Sequence, residues 1–316
     1  MAGILVVAES IEGEISGFTL ELLGAAKVLS GEGGGPVSAF IASGDAQALL
    51  AHGAETVYTS AAGADSLAEV LAPAVEAAVA ASGADIVLVA QSSLGRDLGP
   101  MLAFRAKTGV AMDCTGLAIE GGRLRATRSA YGGNARAEHT WKSGVQIVTV
   151  KGKAFDPAPT GAGGGNVVAV EAVGEARIKV LGVSKAVAEG IKLEDAQIVV
   201  SGGRGLGDPS AFKQLEELAA TLKQAAVGAS RAACDLGWWP PAQQVGLTGK
   251  TVSPNLYIAI AISGASQHMA GMGGSKNIVA INQDADANMV KVSKFAIVDD
   301  YKKVLPALIA EIKKLG

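Results

Sequence analysis

Ser263, Ser266 and His268 place two hydroxyls and an imidazole within six residues, the raw material of a nucleophile and its base. No GxSxG elbow surrounds either serine, and side chains this close along one turn and helix start do not meet in triad geometry. Hydrolytic chemistry is therefore not the reading. His52 and His139 complete the histidines. None has the HxxxH or carboxylate spacing of a metal site, so these two read as structural or surface residues. Gly249-Lys250-Thr251 ends like a phosphate-binding P-loop, but Gln244 stands where its first glycine is required. Ser201-Gly202-Gly203-Arg204-Gly205-Leu206-Gly207 has GxGxG spacing, and the dinucleotide fingerprint would need glycine at Asp208. An NAD turn is set aside, while a backbone cradle for some phosphate at the next helix start stays open.

The elements that must position these residues alternate. Apolar runs at Ile4–Ala8, Val37–Ala42, Thr56–Tyr58 and Asp85–Val89 read as strands, and helical spacing over Phe18–Leu29, Ala46–His52 and Leu67–Ala81 falls between them. That alternation predicts a parallel sheet with helices on both faces. From about Gly121 the β-leaning segments Leu124–Ser129, Val145–Val150, Val167–Val173 and Ile178–Val183 suggest a partly antiparallel extension. Val187–Ala196, charged and without a strong apolar run, reads as a linker, giving domains of 1–190 and 191–316. Beyond it come strand Ile198–Val200, helix Ala211–Gln224, strand Leu256–Ile262, helix Ala265–Met272, strands Ile278–Ile281 and Phe295–Val298, and an amphipathic helix over Tyr301–Leu315. The expected fold class is α/β: two domains, each a largely parallel sheet flanked by helices, the second Rossmann-like.

Composition narrows the function classes. Half of the 316 residues are apolar and 42 are glycine, which suits close helix-on-sheet layers. A net charge of −3 supplies no field for nucleic acid or anionic lipid. No apolar stretch reaches the roughly 18–20 residues of a membrane helix, and the start reads as a buried strand and not as a signal peptide. Cys114 and Cys234, alone and distant in sequence, read as reduced core residues. The expected compartment is the cytoplasm, or the mitochondrial matrix for a processed chain.

What remains is a set of polar residues confined to turns of the second domain: Arg204, Gly228-Ala229-Ser230-Arg231, Gly246-Leu247-Thr248-Gly249, Ser263 to His268, and Asn282. In an open α/β sheet the loops beyond the strands' C-terminal ends converge on one crevice. Hydroxyls, amides and two arginines gathered there would hold a polar, anionic ligand. Trp238-Trp239-Pro240-Pro241 reads as packing first, and as a lid or partner contact second.

The run Leu256 to Met272 (LYIAIAISGASQHMAGM), followed by Ile278 to Asp284, closely resembles the signature of electron-transfer flavoprotein alpha subunits, the FixB family. SGGRGLG at Ser201, VGASRAA at Val227 and VGLTGKTVSP at Val245 extend the resemblance, as do Tyr131 to Ala135 and Val148 to Gly152 in the first domain. The resemblance implies FAD bound in an extended pose on the second domain. Arg204, Ser230, Arg231, Val245, Gly246, Leu247, Thr248, Ser263, Gly264, Ala265, Ser266, Gln267, His268, Asn282, Asp300 and Tyr301 fall at its FAD-contacting positions. It further implies that a cationic or donating His268 offsets negative charge on the reduced ring, and that Thr248 or Ser263 hydrogen-bonds N5. Arg231 would lie against the ring and separate the two one-electron steps, while Ser230, Arg204 and Asn282 would serve the phosphates and adenosine.

The family works as a heterodimer with a beta subunit. The alpha subunit's first domain contacts that partner, and the flavin domain pivots between donor and acceptor, here about Val187–Ala196. The resemblance thus implies an electron carrier, not an enzyme, passing electrons from a dehydrogenase to a membrane quinone oxidoreductase or another reductase, without being membrane-inserted itself. Two alternatives stand beside it: an electron-bifurcating complex using NADH and a second FAD on the beta subunit, and a non-redox adenine-nucleotide-binding module. Leu247 stands where the family has Gln, Ala261 where it has Gly, and Asp286-Ala287-Asn288-Met289-Val290 where it has Glu-Ala-Pro-Ile-Phe.

Overall fold

A computed structural model describes residues 3–62, 67–131, 135–142, 144–161, 163–178, 180–182 and 191–315. The chain separates into two units, Met1–Val183 and Ser184–Gly316. The first half of the expected linker, 187–190, lies outside the described residues. Its second half is not free chain: Leu193 and Ala196 are buried with Val199 and Val245 in the second unit's core, and Glu194 pairs with Lys250.

In the first unit the strands are β1 (Ile4–Ala8), β2 (Ser10–Ile11), β3 (Glu14–Ile15), β4 (Val37–Ile41), β5 (Thr56–Ser60), β6 (Ile86–Ala90), β7 (Val110–Glu120), β8 (Arg123–Ala130), β9 (Ala135–His139), β10 (Gln146–Val150) and β11 (Asn166–Val170). The helices are α1 (Gly17–Leu29), α2 (Ala46–Ala51), α3 (Ala68–Ser82) and α4 (Ser93–Arg105). Nine of these strands form one sheet in the order β11-β5-β4-β1-β6-β10-β7-β8-β9. β1, β4 and β6 are buried at every residue, as continuous apolar runs with helices on both faces must be. Ser16 and Ser92 cap α1 and α4, accepting from the Thr19 and Gly95 amides at 3.1 and 2.9 Å.

The expected antiparallel extension is smaller than the sequence suggested. Among the described strands of the nine-stranded sheet, antiparallel pairing is confined to β7 with β8 and β8 with β9, so β8 alone runs against the rest. β10 lies inside the parallel core between β6 and β7, and β11 pairs parallel with β5 at the far edge. The polar residues of β10 are buried and satisfied: Gln146 Oε1 accepts from the Leu124 amide at 2.8 Å, and Thr149 Oγ1 from the Asp113 amide at 2.9 Å. No strand forms among the described residues of 178–183.

The second unit contains β12 (Ile198–Gly202), β13 (Ala225–Ser230), β14 (Gln244–Val245), β15 (Leu256–Ile260), β16 (Ile278–Asn282) and β17 (Phe295–Val298). Between them lie α5 (Phe212–Ala220), α6 (Arg231–Asp235), α7 (Ser266–Met272) and α8 (Asn288–Val292), and α9 (Tyr301–Leu315) closes the chain. The strands are all parallel, in the order β14-β13-β12-β15-β16-β17. Counted within the unit this is 3-2-1-4-5-6, the doubly wound dinucleotide-fold order, whose switch point lies between β12 and β15. Phe212, Leu215, Leu305 and Ile309 cover one face of the sheet, and Met272, Met289 and Leu193 the other. Trp239 stacks on Phe212 with centroids 4.8 Å apart, so the Trp-Trp-Pro-Pro segment packs. β17 closes one edge with Phe295, Ile297 and Val298 exposed.

β15 stops two residues before the expected Ile262 because Ala261 adopts a left-handed backbone, φ 53°. A side chain there costs about 1 kcal/mol relative to glycine, whose missing Cβ removes the clash. Ala261→Gly is therefore expected to stabilise the second unit by about 1 kcal/mol. A urea midpoint that fails to rise would show that the Ala261 methyl contributes packing equal to its strain.

Candidate functional site

Two loops part company at the switch point, one leaving β12 as Gly203-Arg204-Gly205 and one leaving β15 as Ala261-Ile262-Ser263. They touch at their bases, where the Gly203 amide donates to the Ile260 carbonyl at 2.9 Å. Gly203 can only be glycine, since a Cβ would be driven into the Ala261 carbonyl oxygen. Above this junction opens a cavity of about 630 Å³, within the roughly 300–1,000 Å³ of small-molecule sites.

Twelve of the expected residues line it: Arg204, Ser230, Arg231, Val245, Gly246, Leu247, Thr248, Ser263, Ala265, Gln267, His268 and Asn282. They arrive from the C-terminal ends of β12, β13, β14, β15 and β16, one edge of one sheet. Gly203, Gly205, Ala232, Asp235, Gln244, Ile262, Asp284 and Ala287 line it as well and were not singled out from sequence as site residues. Asp235 had a signal, its i+4 spacing from Arg231.

Four expected residues are not on the cavity wall. Asp300 is used locally, its Oδ1 accepting from the Lys302 amide at 2.9 Å at the start of α9. Tyr301 is buried, and its hydroxyl donates to the Leu206 carbonyl at 2.7 Å, pinning α9 to the turn after β12. Gly264 is buried against the Met289 main chain. Ser266 opens α7 and points its hydroxyl at the Gln267 side chain, 3.3 Å away.

The polar groups on the wall differ in what they have left to offer. Gln244 Nε2 donates to Thr248 Oγ1 at 3.0 Å, so the Thr248 hydroxyl proton is free for a ligand. Ser230 stands at the N-cap of α6 without a side-chain capping bond. Arg231 Nε pairs with Asp235 Oδ2 at 3.3 Å in an exposed i,i+4 contact. Asn282 is already committed: its amide nitrogen donates to the Ile262 carbonyl at 2.9 Å, and its oxygen accepts from the Asp284 amide at 3.0 Å. It braces the two loops, which leaves little for phosphate or adenosine. Leu247, in place of an amide, presents only an apolar side chain, held by its own N–H to the Gln267 carbonyl at 2.8 Å.

Of the two forms expected for His268, cation or neutral donor, burial removes the first. It is buried, and burial drives its pKa down to about 4, against a smaller opposing pull from the Val245 main chain. It therefore stands neutral at physiological pH, with Nε2 2.9 Å from the Tyr257 hydroxyl and no well-formed hydrogen bond at Nδ1. The sequence placed His268 at a turn and helix start and could not show how deeply α7 would sink it.

That depression carries a sign. The unfolded imidazole titrates near 6.5 and the folded one near 4, so between these values the unfolded state binds more protons and stability falls as the pH is lowered. The full span is worth about 3 kcal/mol. In His268→Gln this slope between pH 6.5 and 4 is expected to flatten relative to the unsubstituted chain. Parallel urea titrations across the window would reveal an unaltered slope if the imidazole were already protonated.

The donor set fits an extended flavin dinucleotide. A buried imidazole with an unengaged nitrogen, a hydroxyl with a free proton, a guanidinium and a glycine-lined loop share one crevice, at the place where this fold binds dinucleotides. Among the described residues no group of three His, Cys, Asp or Glu could hold a metal, and no helix is long and apolar enough to cross a membrane.

Residues 4–175 match the electron transfer flavoprotein domain, and residues 192–273 the electron transfer flavoprotein FAD-binding domain. The chain is 41% identical to the electron transfer flavoprotein subunit alpha of Megasphaera elsdenii, over 99% of this chain and 96% of that one. It is 38% identical to protein FixB of Clostridium saccharobutylicum, over 99% and 97%, and 35% identical to the subunit alpha of Bacillus subtilis, over 99% and 98%.

Proposed function

The chain belongs to the electron-transfer flavoprotein alpha-subunit family, and from that premise we propose that it is the FAD-holding half of a heterodimer with a beta subunit, carrying electrons from flavin dehydrogenases to a quinone oxidoreductase or other reductase. The observation that carries this reading is the single switch-point crevice onto which five strand ends deliver hydroxyl, guanidinium and imidazole groups. Bound FAD supplies one-electron chemistry at its tricyclic ring. The chain's own residues bind, orient and bias it. Arg231 brings a positive charge, partly neutralised by Asp235, to the crevice mouth. Thr248 offers a hydroxyl proton oriented by Gln244. Ser230 and Arg204 are the groups suited to the phosphates, and Asn282 keeps the β15 and β16 loops in register.

The direct test is to co-express the chain with its beta subunit and record the visible spectrum of the purified heterodimer. Flavin absorption at one FAD per heterodimer is expected. A colourless complex would refute the reading. Two FAD with NADH reactivity would assign a bifurcating complex instead, and bound ATP or AMP without flavin a non-redox module.

A further inference from the structure

The chain leads into the second unit's first strand through a tight turn. The Asp195 amide donates to the Lys192 carbonyl at 3.0 Å, which makes Leu193 and Glu194 the turn's two central residues. Their side chains have different partners. Leu193 is 4% exposed and packs in one apolar cluster with Val199, Ala226 and Val245. Gly228 on β13 makes room for it: a Cβ there would lie 3.0 Å from Val245 Cγ2 and 3.3 Å from Leu193 Cδ2, so both side chains border the same space over the glycine. Glu194 Oε1 pairs with Lys250 Nζ, and both side chains are partly exposed.

Val245 and Lys250 are the two ends of the loop that carries the crevice residues Gly246, Leu247 and Thr248. Main-chain bonds tie its neck. The Lys250 amide donates to the Gln244 carbonyl at 2.7 Å, and the Gly246 amide to the Lys250 carbonyl at 3.1 Å. Within the loop the Gly249 amide donates to the Gly246 carbonyl at 3.0 Å, and its tip rests on α7 through the Leu247 amide and the Gln267 carbonyl. One turn of the connecting segment therefore grips both ends of the neck. The entry is held by apolar packing at Val245, and the exit by an ion pair at Lys250.

We propose that Leu193 and Glu194 are positioning residues of the flavin site: the turn that leads into the second unit clamps the Val245–Lys250 loop and so fixes where Leu247 and Thr248 stand in the crevice. The inference rests on the reading of the crevice as the FAD site. A surface loop closed by main-chain bonds opens locally, to an extent set by what packs on it. Leu193 supplies buried apolar contact and Glu194 supplies charge, while neither lines the cavity. Displacement of the turn is then passed to Leu247 and Thr248 through Val245 and Lys250.

The test is amide hydrogen exchange on the co-expressed heterodimer, with the rate of FAD release measured on the same samples. Glu194→Gln and Lys250→Met each remove one charge and keep most of the side chain's bulk. Each is expected to speed exchange at the Gly246, Gly249 and Lys250 amides about threefold, and FAD release by about the same factor, the size that a partly exposed ion pair supplies. Leu193→Val, a truncation mild enough for folding, is expected to open the same amides. Val199 on β12 and Ile258 on β15 are expected to keep their exchange rates, which a general loss of stability would not allow. The Glu194→Gln, Lys250→Met double variant is expected to be no worse than either single one, and the exchanged pair, Glu194→Lys with Lys250→Glu, to restore protection. Unaltered exchange at the loop amides, an equal rise at Val199 and Ile258, or additive effects of the two charge removals would each overturn the proposal. A heterodimer that purifies without flavin would instead sink the cofactor reading, while the exchange pattern of the loop still decides the roles of Leu193 and Glu194.

Discussion

Gly203→Ala is expected to destabilise the second unit by about 3 kcal/mol or more and to release its flavin. Overpacking ordinarily costs about 1–3 kcal/mol because side chains can yield. Here the added methyl meets main chain, the Ala261 carbonyl oxygen and carbon, and Ile262 presses from beside them. The two loops that it would push apart are joined at the Gly203 amide and define the crevice. Gly207→Ala serves as the control. Its φ of 79° makes alanine strained, but nothing lies within 4 Å of the new methyl, so a loss of only about 1 kcal/mol is expected. Urea midpoints and flavin-to-protein ratios would measure both. Gly203 itself has an unstrained φ of −100°, so equal losses would mean that the loop junction gives way to the added methyl at little cost.

The second large effect concerns charge. Arg231→Ala should lower the flavin potential by about 50 mV and Asp235→Asn should raise it. Opposite charges about 4 Å apart interact by about 4 kcal/mol at an effective dielectric of ~20, and exposure of this pair reduces that to about a third. About 1.4 kcal/mol corresponds to 59 mV for one electron. The opposed signs make the test specific: general loosening of α6 would move both variants the same way. Spectroelectrochemical titration reads the potentials, and equal shifts, or none, would remove the Arg231–Asp235 pair from the tuning of the ring.

What could be read in advance followed from where burial is written into residue type. β1, β4 and β6 are continuous apolar runs, and α9 shows its amphipathic spacing, so all four were legible. β13, Ala-Ala-Val-Gly-Ala-Ser, was not. Its small residues carry little propensity, and the strand exists because β12 and β14 pair with it on either side. The helix expected to run on to Gln224 stops at Ala220, leaving room for that strand. α4 was hidden by Gly95, Gly99 and Pro100, of which Gly95 lets the helix approach the Ala90 carbonyl. β7 was missed too, its burial alternating only weakly.

The site divides in the same way. Turn residues with hydrogen-bonding side chains were visible as a cluster because turns at strand ends must converge in this fold. Which of them had already been used was not visible. Asn282 and Tyr301 spend polar groups on neighbouring loops, and Asp300 on its own. The neutral state of His268 depends on how deeply α7 buries it, which no local stretch of sequence encodes.

Each unit also encloses one sulfhydryl. Cys114 and Cys234 are free and buried, and burial pushes them up to about 12 and about 11. Thiolate, the form that reacts, is thus scarce at neutral pH, and neither sulfur has a second thiol within its own unit to oxidise against. This chain consequently holds no dithiol reservoir. In a coulometric titration, every reducing equivalent it absorbs reversibly would be stored in the cofactor, so the endpoint counts flavin directly.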